Sequence, residues 1–166
     1  TSVTDAYRPS EMAQRVADAG VAKANLPLLN LIALSVLAGA FISLGAAFST
    51  AAVTGSTLPY GVTRVLGGLA FSLGLILVIV AGAELFTGNL LIVMAWASRR
   101  ISLGALLRNW LFVYAGNFAG ALGAAALVYL SGTLALDSGA VARTASAIAE
   151  AKLSLPADQA FFRGVL

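Results

Sequence analysis

A chain of 166 residues that is 60% hydrophobic and only 10% charged, with a mean hydropathy of +0.93, has the composition of an integral membrane protein. The absence of cysteine excludes disulfides and thiolate-ligated metal sites within it, and the absence of histidine removes the usual metal ligand and neutral-pH proton shuttle. Ten scattered basic residues without interleaved aromatics give no nucleic-acid-binding surface. Continuous runs rich in Leu, Ala, Val and Gly exclude the alternation of a membrane β-barrel, so the fold class is all-α.

Thr1 to Lys23 carries Asp5, Arg8, Glu11, Arg15, Asp18 and Lys23. After Pro9-Ser10, with Ser10 as N-cap, the spacing of Met12, Val16 and Ala19 predicts a short amphipathic helix at the membrane surface. Residues 1–25 thus form an N-terminal segment and 26–166 a transmembrane domain. A cleaved secretory leader is not expected, because acidic residues interrupt its basic region and the following apolar stretch is too long. The ends read as edges within a longer protein: the chain starts at Thr1 without Met, and Phe161 to Leu166 resembles the opening turn of another apolar helix.

The first span is predicted over 26–48, with Asn30 as an interfacial polar residue and a small-residue face including Gly39 and Gly45 for close packing. Ser49 to Tyr60 reads as a loop. A third span is expected over 106–130, beginning with Arg108, Asn109 and Trp110 and carrying Asn117 between Gly116 and Gly120. Ser131 to Pro156 reads as an external loop holding Asp137, Arg143, Glu150 and Lys152, in which 138–151 could form a helical turn or two. A fourth span would begin after Pro156. Arg8, Arg15 and Lys23 before the first span, and Arg99, Arg100 and Arg108 between the second and third, place the N-terminus in the cytoplasm by the positive-inside rule.

The second span is the informative one. The apolar run from Val65 to Trp96 would make a helix of about 48 Å against a hydrocarbon core of about 30 Å. Its one polar cluster, Glu84, Thr87, Gly88 and Asn89, marks the place for a break near 82–89. Non-helical backbone at that depth survives only where protein or a water-filled cavity satisfies it, which implies a pathway alongside. A second half-helix starting near Gly88-Asn89, with Thr87 as N-cap, would turn free amides toward that cavity and favour anions. Phe71 and Leu75 share a helix face and, with Leu85 and Phe86, could form a hydrophobic constriction or simply pack against lipid or a neighbouring helix. Glu84 is expected to support the loop by accepting hydrogen bonds from the loop's own backbone amides, with Asn89 beside it; an exposed carboxylate would repel an anionic substrate.

Phe71-Ser-Leu-Gly-Leu75, then Ala81-Gly-Ala-Glu-Leu-Phe-Thr-Gly-Asn89, then Asn109-Trp110 and Val113-Tyr-Ala-Gly-Asn117, taken in that order, closely resemble the formate/nitrite transporter family. The resemblance implies an aquaporin-like inverted-repeat channel fold, of which this chain holds the first three-span repeat, in a homopentamer whose protomers each carry a pore. It implies passage of small monovalent anions such as formate, nitrite or hydrosulfide, with possible proton co-transport, in the bacterial inner membrane. It makes Leu85, Phe86 and Thr87 the interrupting loop, with the Thr87 hydroxyl offered to the substrate, and Phe71 and Leu75 constriction residues. It gives Lys152 the role of attracting the anion and assisting its protonation. The family's central histidine belongs to a fifth span, which lies beyond Leu166.

Two other functions compete. A water or small-solute channel of the aquaporin type calls for paired Asn-Pro-Ala turns, which do not occur here. A non-transporting scaffold would need its second span to run unbroken through 82–89. No nucleophile-base pair or metal cluster can be assembled, so catalysis and cofactors are not expected.

Overall fold

The computed structural model describes residues 7–165. Three helices are long and apolar enough to cross a membrane: α2 (Leu28–Val53), α3 (Tyr60–Val80) and α6 (Leu103–Leu130). They are preceded by α1 (Pro9–Ala24), interrupted by the short α4 (Phe86–Asn89) and α5 (Val93–Ala97) joined by a 3-10 turn at Leu90–Ile92, and followed by α7 (Leu136–Leu153) and α8 (Ala157–Val165).

Helix α2 is the axis of the bundle, packed along both α3 and α6. Small residues set the spacing. A Cβ on Gly39 would collide with the Asn117 carbonyl of α6, one on Gly120 with the Val36 carbonyl, and one on Gly74 would stand 2.7 Å from the Phe41 carbonyl. Backbones this close gain dispersion contacts that larger side chains would forbid, which is how helices associate where lipid supplies no hydrophobic drive. The outward faces of all three remain apolar and exposed, Leu29, Leu69 and Leu111 among them.

Helix α1 differs from its sequence reading. It begins at Pro9, with Arg8 as N-cap and Glu11 accepting the Arg8 backbone N–H at 3.1 Å, so Ser10 lies inside the first turn. Its buried face is Ala17, Gly20 and Ala24, whereas Met12 and Ala19 are exposed and Val16 is half-buried. The small face lets α1 lie against the 3-10 turn and α5, where a Cβ on Gly20 would sit 3.0 Å from the Ala95 Cβ. Arg100 to Asp18 at 2.6 Å reinforces this docking.

Two loops are shorter than expected. Helix α2 runs to Val53, because Thr50 and Thr54 return their hydroxyls to the carbonyls one turn back and Ser49 reaches the Gly67 carbonyl of α3 at 2.8 Å. Helix α3 then starts directly after Pro59. Ser131 to Pro156 is mostly helical: a left-handed kink over Asp137, Ser138 and Gly139 leads into α7, which continues to Leu153. Helix α8 begins after Pro156, as the sequence suggests.

Candidate functional site: the interrupted second span

Helix α3 stops at Gly82, whose φ of +60° is the left-handed conformation glycine adopts without penalty. Gly82 N–H donates to the Ile79 carbonyl at 3.1 Å and Ala83 N–H to the Val78 carbonyl at 2.9 Å, a Schellman closure. Ala83 to Leu85 then run without helical structure, and the chain re-enters helix at Phe86 with Leu85 as N-cap. The restart is earlier than expected: Thr87 is within the first turn of α4 and does not cap it. The glycine that stops α3 sets this register, and Gly88 is helical.

The extended segment is held by hydrogen bonds to both neighbouring spans. Glu84 N–H donates to the Leu34 carbonyl of α2 at 3.2 Å. Asn117 of α6 does the rest: its Oδ1 accepts the Phe86 N–H at 2.8 Å, and its Nδ2 donates to the Glu84 carbonyl at 2.9 Å and the Ser35 carbonyl at 2.8 Å. One side chain thereby closes backbone groups of α2 and of the interruption, meeting the requirement that irregular backbone inside a membrane be paired.

The Glu84 carboxylate is buried, at 3% exposure, and its partners are side chains instead of the loop amides expected. Oε1 accepts from Lys23 Nζ at 2.6 Å and Oε2 from Asn89 Nδ2 at 2.7 Å. Asn89 Nδ2 also donates to Asn109 Oδ1 at 2.9 Å, Asn109 Nδ2 donates to the Lys23 carbonyl at 3.2 Å, and Trp110 Nε1 donates to the Asn89 carbonyl at 3.0 Å. This polar chain links α1, the interruption and α6. A buried carboxylate held by an ammonium and an amide is compensated in both charge and hydrogen bonding.

Beside this network lies an open depression of about 340 Å³ lined by Lys23, Leu75, Leu85, Thr87 and Asn89, with Val78, Ile79 and the Gly82-Ala83 turn. Leu75, Leu85 and Thr87 are thus brought together. Asn89 Oδ1 is buried there without a hydrogen-bond partner among the described residues. Phe71, one turn before Leu75, lines a neighbouring depression with Arg64 and Ile148. Phe86 points the other way, toward α6, its ring edge-on to Trp110 and Tyr114 at centroid distances of 6.4 and 5.4 Å. Lys152 is exposed near the end of α7, one turn beyond Ile148. Among the described residues no group of three His, Cys, Asp or Glu side chains could hold a metal ion.

Lys23 and Asn117 are the residues the sequence did not single out. Lys23 had a signal: a carboxylate inside an apolar run needs a cation, and the chain has only two lysines, one of them directly before the first span. Asn117 reads as one polar residue within a glycine face, and only the meeting of α6 with the interruption reveals its three partners.

Fold and site define a multi-pass helical membrane protein whose second span is interrupted, an arrangement that channels and transporters use. The family model described as formate/nitrite transporter matches residues 10–166, and the chain belongs to that family. It is 48% identical over 129 residues to the formate channel FocA of Escherichia coli K12, covering 77% of this chain and 45% of that protein. It is 37% identical over 163 residues to the formate channel FocA of Haemophilus influenzae, covering 97% and 57%. A solved structure described as a pentameric formate channel with formate bound superposes with a TM-score of 0.72 at 42% identity, covering 77% of this chain and 51% of that one. The chain spans about half the length of these relatives.

Proposed function

We propose that this chain supplies one half of the conducting wall of a channel for small monovalent anions, formate foremost, in a homopentamer. The observation that carries the reading is the common depression of Leu75, Leu85 and Thr87, set beside an interruption in a membrane span and rimmed by Lys23. Kinship with proteins named formate channels supplies the substrate class. In this reading residues 1–25 are a cytoplasmic segment, 26–166 are the first of two aquaporin-like inverted repeats, and the pentamer resides in the bacterial inner membrane.

The mechanism follows from the cost of burying charge. Lys152 draws the anion toward one mouth, an attraction that salt screens. Phe71, Leu75 and Leu85 then exclude the hydration shell, and the Thr87 hydroxyl donates a hydrogen bond in partial replacement. Protonation of the anion lowers the barrier at the apolar stretch, because a neutral acid is far cheaper to bury than its ion. Phe86 serves from the opposite side, wedging the loop against Trp110 and Tyr114. Glu84 and Asn89 support the loop, and pairing with Lys23 keeps the Glu84 charge from repelling the substrate. Transport, and not catalysis, is the activity in this reading. The interruption weighs against a scaffold with a tilted continuous span, and the absence of Asn-Pro-Ala turns against an aquaporin-type water channel.

Formate and nitrite flux into liposomes containing the full-length protein tests the mechanism. Thr87→Ala should lower flux about tenfold, the scale of one lost hydrogen bond in a desolvated path, and Lys152→Ala, which removes an exposed charge, about fivefold at low salt. Unchanged flux in both variants rejects it.

A further inference from the structure

The depression containing Phe71 holds a cation that the mechanism above does not use. Helix α2 begins beside α1 and rises about 39 Å over its 26 residues, so α3 starts at the end of the bundle away from α1. Arg64 lies one turn into α3. It shares a face with Phe71, seven residues on, and Leu75, eleven residues on, about 16 Å along the axis. Arg64, Phe71 and Ile148 line one open depression of about 460 Å³, and Leu75 lines the next, with Thr87. A stripe therefore runs from a guanidinium through two apolar side chains to the interruption.

The guanidinium is oriented. Its Nε donates to Tyr60 Oη at 3.0 Å, and its carbon lies 5.1 Å from the Tyr60 ring centroid. Arg64 forms no ion pair among the described residues, and no hydrogen bond there uses its two terminal nitrogens. A planar fork with both terminal groups open matches the two oxygens of a small carboxylate or of nitrite. Ser49, Thr63 and Phe71 line the same depression.

We propose that Arg64, oriented by Tyr60, is an anion-capture residue at the mouth of the molecule opposite α1, loading small monovalent oxyanions onto the Phe71–Leu75 face. The proposal rests on the anion-channel reading and adds to Thr87 and Lys152 a further recruiting residue, at a depression that Ile148, one turn before Lys152, also lines. A capture site outside the constriction raises the local anion concentration, so it acts on half-saturation and salt dependence more than on maximal flux.

The test is formate flux in proteoliposomes of the full-length protein, measured from each side across formate concentration and ionic strength. Arg64→Gln should raise the half-saturating concentration on the Arg64 side about fivefold at low salt, the factor one charge at contact range supplies in water. It should flatten the salt dependence, leave maximal flux and the opposite side near wild type, and be rescued by Arg64→Lys. Unaltered half-saturation and salt dependence in Arg64→Gln, as for an arginine that only anchors α3 among lipid headgroups, overturns the capture site while leaving the channel reading intact. Equal loss of maximal flux from both sides with a lowered melting temperature also overturns it, as a folding role. Absence of anion flux in the wild type overturns both readings.

Discussion

Asn117 Oδ1 accepts the Phe86 N–H at 2.8 Å across 31 residues of sequence, joining the third span to the restart of the second. With its Nδ2 bonded to the Ser35 and Glu84 carbonyls, this side chain is fully engaged. Asn117→Leu keeps the branched outline with bulkier tips and removes all three bonds. Each buried backbone group left unpaired costs about 1–3 kcal/mol, so the variant should lose several degrees of melting temperature in detergent and most of its flux. A melting temperature equal to wild type would show that water or the loop itself can satisfy these groups.

The Lys23–Glu84 pair invites a double-mutant cycle. Glu84 is 5% exposed at its side chain and Lys23 34%, so Lys23→Met leaves a buried carboxylate without its cation, at about 3 kcal/mol. Glu84→Gln leaves only a partly exposed ammonium, which finds water, and should cost less. The double variant should be more stable than Lys23→Met alone. Additive unfolding free energies would mean that the two charges do not interact.

Glycines of this bundle divide into two groups by what surrounds them. Gly39→Ala forces its methyl into the Asn117 backbone and Gly120→Ala into that of Val36, so both should prevent assembly, read as loss of folded protein on size exclusion. Gly68→Ala and Gly123→Ala meet nothing within 4 Å in this chain and should leave the fold intact or slightly firmer, since alanine favours helix by about 1 kcal/mol. Equal tolerance at all four positions would contradict the close approach of α2 and α6.

The interruption was legible because it breaks a length rule: an apolar run too long for one span, with its polar residues in the middle. The register of the restart was not, since Thr87 and Gly88 look like a cap while Gly82 ends the helix through its positive φ. At α1 the stripe of Met12, Val16 and Ala19 did not disclose the face packed on the protein, which is Ala17, Gly20 and Ala24. Small residues carry no hydropathy signal for the partner they fit. The Glu84–Lys23 pairing spans 61 residues and depends on α1 folding back beneath the second span, which no local pattern encodes. The extra helix at 49–53 went unread because Ser and Thr signal loops unless their hydroxyls find carbonyls, and α7 is longer than the helical turn or two read over 138–151.

The three bonds of Asn117 also bear on biogenesis. A ribosome delivers Ala83 to Leu85 to the membrane well before residue 117 has been made, and until then the Glu84 carbonyl and the Phe86 amide lack the partner that closes them. A truncation ahead of α6 would keep the Gly82 closure and the Glu84–Leu34 bond but lose the three bonds of Asn117 that complete the segment.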